Sequence, residues 1–226
     1  MTHRTRIKIC GLTREADVVA AVDAGADAIG FVFYAKSVRA VSMARAAELA
    51  RLLPPFVTPV GLFVNADPAL IAEVVAAVPN LVLQFHGDET PEACEDQHQA
   101  TRRPYLRAAR MAPGFALLDF VAAHANAAGI LLDAHVEGYG GAGKAFDWSL
   151  IPANVPRPVV LSGGLHPANV VDGITHVRPW AVDVSSGVEI ANGPRGHKDA
   201  ALLRQFCEAV READALIARR SADLGS

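Results

Sequence analysis

The chain predicts an α/β fold, a (β/α)8 TIM barrel in one domain. Short apolar runs alternate with Ala-, Leu- and Glu-rich stretches along the whole length, and eight such runs are found. No Pro/Ser linker or shift in composition divides the 226 residues. Single barrels of this kind commonly hold about 250 residues, so the length does not force a split. Most runs are continuously apolar, as expected where both faces of a parallel sheet are covered. An open dinucleotide-binding sheet is disfavoured, because the first strand ends in Cys10-Gly11-Leu12-Thr13 rather than in a glycine fingerprint.

Taken in order, strands are expected over 6–10, 28–33 and 57–64, with a helix over 43–53 between the last two. Asp67 as N-cap and Pro68 in the first turn open a helix over 67–78. The fourth strand is 81–85, and Thr90 and Pro91 start the helix after it in the same way. The fifth strand is 105–108, followed by a helix over 115–125, and the sixth strand is 129–133. The sixth unit is the weakest: residues 137–144 are glycine-rich, and only a short helix near 148–150 follows. The seventh strand is 159–161, with Pro167 placed in the first turn of its helix, and the eighth is 181–184. The last helix is the clearest. Leu202, Leu203, Phe206, Val210, Ala213 and Ile217 recur at helical spacing, with Arg204, Glu208, Arg211 and Glu212 between them. Fraying is expected at residues 1–5 and 220–226.

A composition of 51% hydrophobic and 20% charged residues supports a sizeable core. The net charge of −3 recommends neither nucleic acid nor a membrane surface as partner. No apolar stretch reaches the roughly 18 residues of a membrane span. The opening lacks a signal-peptide core, so a cytoplasmic address is expected. Cys10, Cys94 and Cys207 are odd in number and far apart, which argues against a disulfide framework or structural zinc. Cys94 and Cys207 read as packed or half-exposed thiols, whereas Cys10 closes a strand.

Two glycine turns each follow a strand: Ser162-Gly163-Gly164-Leu165 and Ser185-Ser186-Gly187-Val188. Glycine lets backbone approach a ligand closely. Neighbouring turns of this kind can offer clustered N–H groups to one dianion, aided by a helix starting just beyond the first. Singly, such turns are more often punctuation; as a pair they suggest a phosphorylated small-molecule substrate.

In a barrel the active site lies at the C-terminal ends of the strands. Polar residues there are Cys10, Arg39, Gln84, His86, Arg107, Asp133, Ser162 and Asp183. Side chains alternate across a strand, so Lys8 shares a face with Cys10, one layer deeper. A buried ammonium needs a partner, and an inward carboxylate is expected to supply it. Cys10 and Asp133 offer two proton-transfer groups of different intrinsic pKa, about 8.5 and 3.9. Such a pair suits an isomerisation, although a strand-end cysteine is more often a core residue and an aspartate there often a cap.

The segments Lys8-Ile-Cys-Gly-Leu-Thr13, Lys36-Ser-Val-Arg39, Leu83-Gln-Phe-His-Gly87, Ser162-Gly-Gly-Leu165 and Asp183-Val-Ser-Ser-Gly-Val-Glu189 together resemble the phosphoribosylanthranilate isomerase family of tryptophan biosynthesis. The resemblance covers about residues 6–215. It implies an Amadori rearrangement of a phosphorylated aminoaldose to an aminoketose, with Asp133 as general acid and Cys10 as general base. It also implies Arg39 on the anthranilate carboxylate, Asp183 near the anthranilate amino group, and phosphate on Gly163, Gly164, Ser186 and Gly187. Lys8, His86 and Arg107 enter as supporting residues. No metal or organic cofactor is implied, and the assembly is expected to be a monomer or homodimer. The chain departs from the family at Ala142, where Thr is commoner, at Val38, where Pro often precedes the arginine, and at Arg107, in place of Lys. One rival is the related isomerase of histidine biosynthesis, which places an aspartate where Cys10 stands. The other is a non-catalytic sugar-phosphate sensor, which would have no use for both Cys10 and Asp133.

Overall fold

The computed structural model describes residues 4–134 and 146–223. Eight parallel strands pair in sequence order and close on themselves. They are β1 (Arg6–Cys10), β2 (Ala28–Val32), β3 (Thr58–Phe63), β4 (Val82–Phe85), β5 (Tyr105–Met111), β6 (Gly129–Ala134), β7 (Val159–Leu161) and β8 (Ala181–Val184). The closing seam joins β1 to β8 and sets Lys8 opposite Asp183. Around the barrel run α1 (Glu15–Ala24), α2 (Met43–Ala50), α3 (Pro68–Ala77), α4 (Pro91–Thr101), α5 (Leu117–Ala123), α6 (Val170–Val177) and α7 (Ala200–Asp223).

Local chemistry fixes several starts. Asp67 and Thr90 accept hydrogen bonds from the N–H groups of Ala69 and Ala93, with Pro68 and Pro91 in the first turns. Capping of this kind satisfies N–H groups that have no partner inside the helix. In the sixth unit the described residues hold only the short 3-10 turn Trp148–Leu150. The glycine-rich residues 137–144, Ala142 among them, lie outside the described residues.

The apolar residues form two sets. Outward-facing strand residues such as Ile9, Phe31, Phe63 and Leu83 pack with Val18, Leu203, Phe206 and Val210 of the helices in a continuous sleeve. Ala108, Leu131, Val160 and Ala181, with Leu106, fill the barrel itself. This division identifies the inner face of each strand, and hence which polar residues point into the mouth.

The structure corrects three expectations. β5 runs three residues past Ala108, because its pairing with β6 continues to Met111 opposite Ala134. Pro167 lies in a turn ahead of α6, where the His166 N–H donates to Asn169 Oδ1. Thr5, expected to fray, is buried and donates to Asp214 through both its N–H and its hydroxyl, and α7 stays helical to Asp223. Cys94 and Cys207 are fully buried, the packed alternative of the two expected. Among the described residues no helix is long and apolar enough to cross a membrane.

Candidate active site

Inner-face positions gather polar groups at the C-terminal mouth. Lys8 Nζ donates to Asp183 Oδ1 at 2.8 Å, with both side chains almost wholly buried. Ser162 Oγ donates to the other oxygen of Asp183 at 3.3 Å. Burial works against charge on Lys8, but Asp183 and Cys10 outweigh it and hold its pKa above the ordinary value. The inward carboxylate expected for Lys8 is therefore Asp183.

Cys10 is buried above Lys8 on the same face of β1. A side chain at Gly30 would meet Cys10 Sγ and Lys8 Nζ at 2.8 and 3.2 Å, so the thiol and the ammonium share the space glycine leaves. Burial pushes the Cys10 thiol up, while the Lys8 charge pulls it down and Asp183 pushes it further up. Against that rise, Lys8 stands in place to steady the thiolate.

Across the mouth, Asp133 Oδ1 accepts the Ala134 N–H at 2.9 Å, and Oδ2 lies 3.1 Å from His86 Nε2. His86 Nδ1 in turn meets the Gln84 amide at 3.0 Å. Gly163 packs onto this carboxyl, where a Cβ would fall 2.8 Å from Asp133 Oδ1.

The two glycine turns touch. A Cβ at Gly187 would fall 1.9 Å from the Leu165 carbonyl oxygen, so only glycine permits this contact. Gly163 and Gly164 both have positive φ, at 79° and 67°, which tightens the first turn. Among the described residues, the backbone N–H groups of Gly164, Ser186 and Gly187 donate to no protein acceptor. α6 begins only at Val170, and Asn169 ties it back by donating to the Gly164 carbonyl.

Arg39 reaches the rim from the loop after β2. Its Nε donates to Glu189 Oε1 at 2.6 Å, and its aliphatic stem crosses Gly11. The same Glu189 oxygen accepts from Lys198 Nζ at 3.2 Å, and Lys198 also donates to the Ser185 carbonyl. Despite burial, these two cations hold the Glu189 carboxyl below its usual range.

One expected supporting residue lies elsewhere. Arg107 is on the outer face of β5, opposite in parity to Leu106 and Ala108. Its guanidinium donates to the carbonyls of Phe85, Gly87 and Glu89 and faces the Phe120 ring of α5. It braces the loop after β4 from behind. The inner arginine is Arg110, which pairs in register with Asp133 and donates to the Gly87 carbonyl and Asp88. Continuing the Leu106–Ala108 alternation by one step finds it. Lys198, on a loop after β8, has no comparable signal in the sequence.

Ionisable groups collected at the C-terminal mouth of an otherwise apolar barrel put this chain among the (β/α)8-barrel enzymes. Residues 7–209 match the family model of N-(5'phosphoribosyl)anthranilate (PRA) isomerase. The chain is 68% identical to the N-(5'-phosphoribosyl)anthranilate isomerase of Leptothrix cholodnii, over 99% of its own length and 96% of that relative. It is similar to a crystal structure of phosphoribosyl anthranilate isomerase in complex with reduced 1-(o-carboxyphenylamino)-1-deoxyribulose 5-phosphate (TM-score 0.80, 40% identity, 92% of this chain and 99% of that one). It is also similar to crystallised monomers generated from the dimeric enzyme of Thermotoga maritima (TM-score 0.79, 38% identity, 92% and 98% covered). The chain belongs to the phosphoribosylanthranilate isomerase family, and is an isomerase of tryptophan biosynthesis.

Proposed function

We propose that the chain converts N-(5-phosphoribosyl)anthranilate to 1-(2-carboxyphenylamino)-1-deoxyribulose 5-phosphate by an Amadori rearrangement. The observation that carries this reading is the thiol of Cys10 and the carboxyl of Asp133 on inner faces of one barrel mouth, with the glycine turns adjoining Asp133. Asp133, protonated, delivers its proton to the furanose ring oxygen as the C1′–O bond breaks. The nitrogen lone pair then forms the C=N bond of a Schiff base. The Cys10 thiolate removes the C2′ proton, and the electron pair moves through C2′–C1′ to nitrogen. The resulting enolamine tautomerises to the ketone. Both steps are general acid–base catalysis by positioned side chains.

Lys8 serves the thiolate as a fixed counter-charge. Arg39 binds the anthranilate carboxylate with the guanidinium edge that Glu189 leaves open. Asp183 sits near the anthranilate amino group, held by Lys8 and Ser162. The N–H groups of Gly163, Gly164, Ser186 and Gly187 hold the phosphate, consistent with the ligand of the neighbouring crystal structure. The chain acts in the cytoplasm. It pairs as a homodimer, as its Thermotoga maritima neighbour is dimeric and Phe56 is left 98% exposed on the loop between α2 and β3. The deciding experiment is a fluorescence assay on freshly made phosphoribosylanthranilate. Loss of the anthranilate signal on adding pure protein is expected, and a persistent signal overturns the reading.

A further inference from the structure

Gln84, on the inner face of β4, is fully buried. Its Nε2 faces His86 Nδ1 at 3.0 Å, while its Oε1 is buried and without a partner among the described residues. With the amide nitrogen on Nδ1, the imidazole carries its hydrogen on Nε2 and donates it to Asp133 Oδ2. Asp133 Oδ1 is already taken by the Ala134 N–H. Both carboxyl oxygens then accept, an arrangement that suits the ionised form.

A half-turn of the Gln84 amide about its terminal bond inverts the chain of donors. Oε1 then accepts from Nδ1–H, and the bare Nε2 accepts a hydrogen from Asp133 Oδ2. Either setting leaves one end of the amide unpaired, so Gln84 favours neither by itself, and the proton on Asp133 decides.

We propose that Gln84 is a positioning residue. Its amide turns over to let His86 face Asp133 as donor to the carboxylate and as acceptor from the carboxylic acid. Between the two settings the enzyme takes up one proton from solvent onto Asp133, the imidazole hydrogen changes ring nitrogen, and no electrons move. The inference rests on the reading of Asp133 as general acid. The other charged and titratable groups of the same mouth are Lys8 and Cys10 on β1, Arg110 on β5 with Asp88, and Asp183 on β8, with Arg107 and Glu89 behind. None of them hydrogen-bonds to the Gln84 side chain among the described residues.

The experiment uses the whole chain with 15N-labelled histidine and reads the tautomer of His86 from its ring-nitrogen shifts. At neutral pH the Nε2–H form is expected. In Asp133→Asn the Ala134 N–H still demands an oxygen, so the amide nitrogen must face His86 as a donor, and His86 is expected to switch to Nδ1–H. His86 remaining Nε2–H in Asp133→Asn overturns the proposal. Gln84→Leu removes the acceptor for Nδ1–H and so favours the donor setting. The descending, high-pH limb of kcat/KM should then move to lower pH by on the order of one unit. An unmoved limb also overturns the proposal. The histidine spectrum of Asp133→Asn needs no Gln84 variant to fold. Full turnover by Asp133→Asn would defeat the general-acid reading alone, because the tautomer is measured without substrate.

Discussion

Lys8 and Asp183 meet across the seam that closes the barrel, 2.8 Å apart and screened from water. The pair holds an ammonium directly beneath the Cys10 thiol. Because burial raises the thiol and Lys8 opposes that rise, Lys8→Met should raise it further. The ascending limb of the kcat/KM profile is expected to move to higher pH, with activity partly recovered in alkaline buffer. An unmoved limb would separate Lys8 from the chemistry. The same substitution strands a buried carboxylate, so denaturant midpoints should also fall, by about 3–5 kcal/mol of stability.

Gly30 is a spacer for that arrangement. A methyl group there would meet Sγ at 2.8 Å, closer than such contacts come, and Nζ at 3.2 Å, a tight one. Gly30→Ala should displace the thiol without touching anthranilate or phosphate contacts. The expected result is a fall in kcat of about tenfold or more with KM little changed, since misplacing a catalytic group by a fraction of an ångström is costly. Equal effects on both constants would point to general loosening.

Cys10→Ala and Asp133→Asn should each lower kcat by about two orders of magnitude or more, the usual scale for losing a general base or acid. Folding should survive both, checked by circular dichroism. Near-normal turnover in either variant removes that residue from its role.

These residues were legible because strand parity is a strict rule. Once Cys10 is set inward, Lys8 must follow, and Leu131 and Ala181 in the barrel interior place Asp133 and Asp183 beside them. The same rule, applied to a strand ended at Ala108, misses Arg110, which pairing with β6 keeps in the sheet opposite Asp133. Arg107 was misplaced for want of parity, since Leu106 and Ala108 already claim the inner face. Lys198 lies beyond any periodic argument. It reaches Ser185 and Glu189 from a loop pinned by an isolated antiparallel bridge between Glu189 and Lys198. Pro167 looked like a helix start, but Asn169 prefers to bond backward to the Gly164 turn.

Arg39→Ala should chiefly raise KM, by about tenfold or more, because a guanidinium edge is well matched to a carboxylate. Glu189→Gln provides the control. It keeps Arg39 but removes its charged partner, so a large KM effect from Arg39→Ala with a smaller one from Glu189→Gln assigns the loss to the ligand contact. An unchanged KM in Arg39→Ala would count against that contact.

His124 gives the fold an acid-labile point away from the mouth. It is 3% exposed beside the Phe120 ring, with Nδ1 buried and unpaired among the described residues. Burial, reinforced by the Arg107 charge and only partly offset by Glu92, pushes its pKa from 6.5 down to about 4. Between those two values the unfolded chain binds a proton at this position that the folded chain refuses. Stability must therefore decline as pH falls from 6.5 toward about 4 and level off below, at roughly 1.4 kcal/mol per unit of separation as an upper value. His124→Phe keeps a ring of similar size against Phe120 and removes the titration. Urea midpoints measured at pH 7.5 and pH 4.5 should differ less in this variant than in the parent chain, since the carboxylates contribute equally to both. An identical acid loss in the two proteins would show that His124 titrates alike in the folded and unfolded chain.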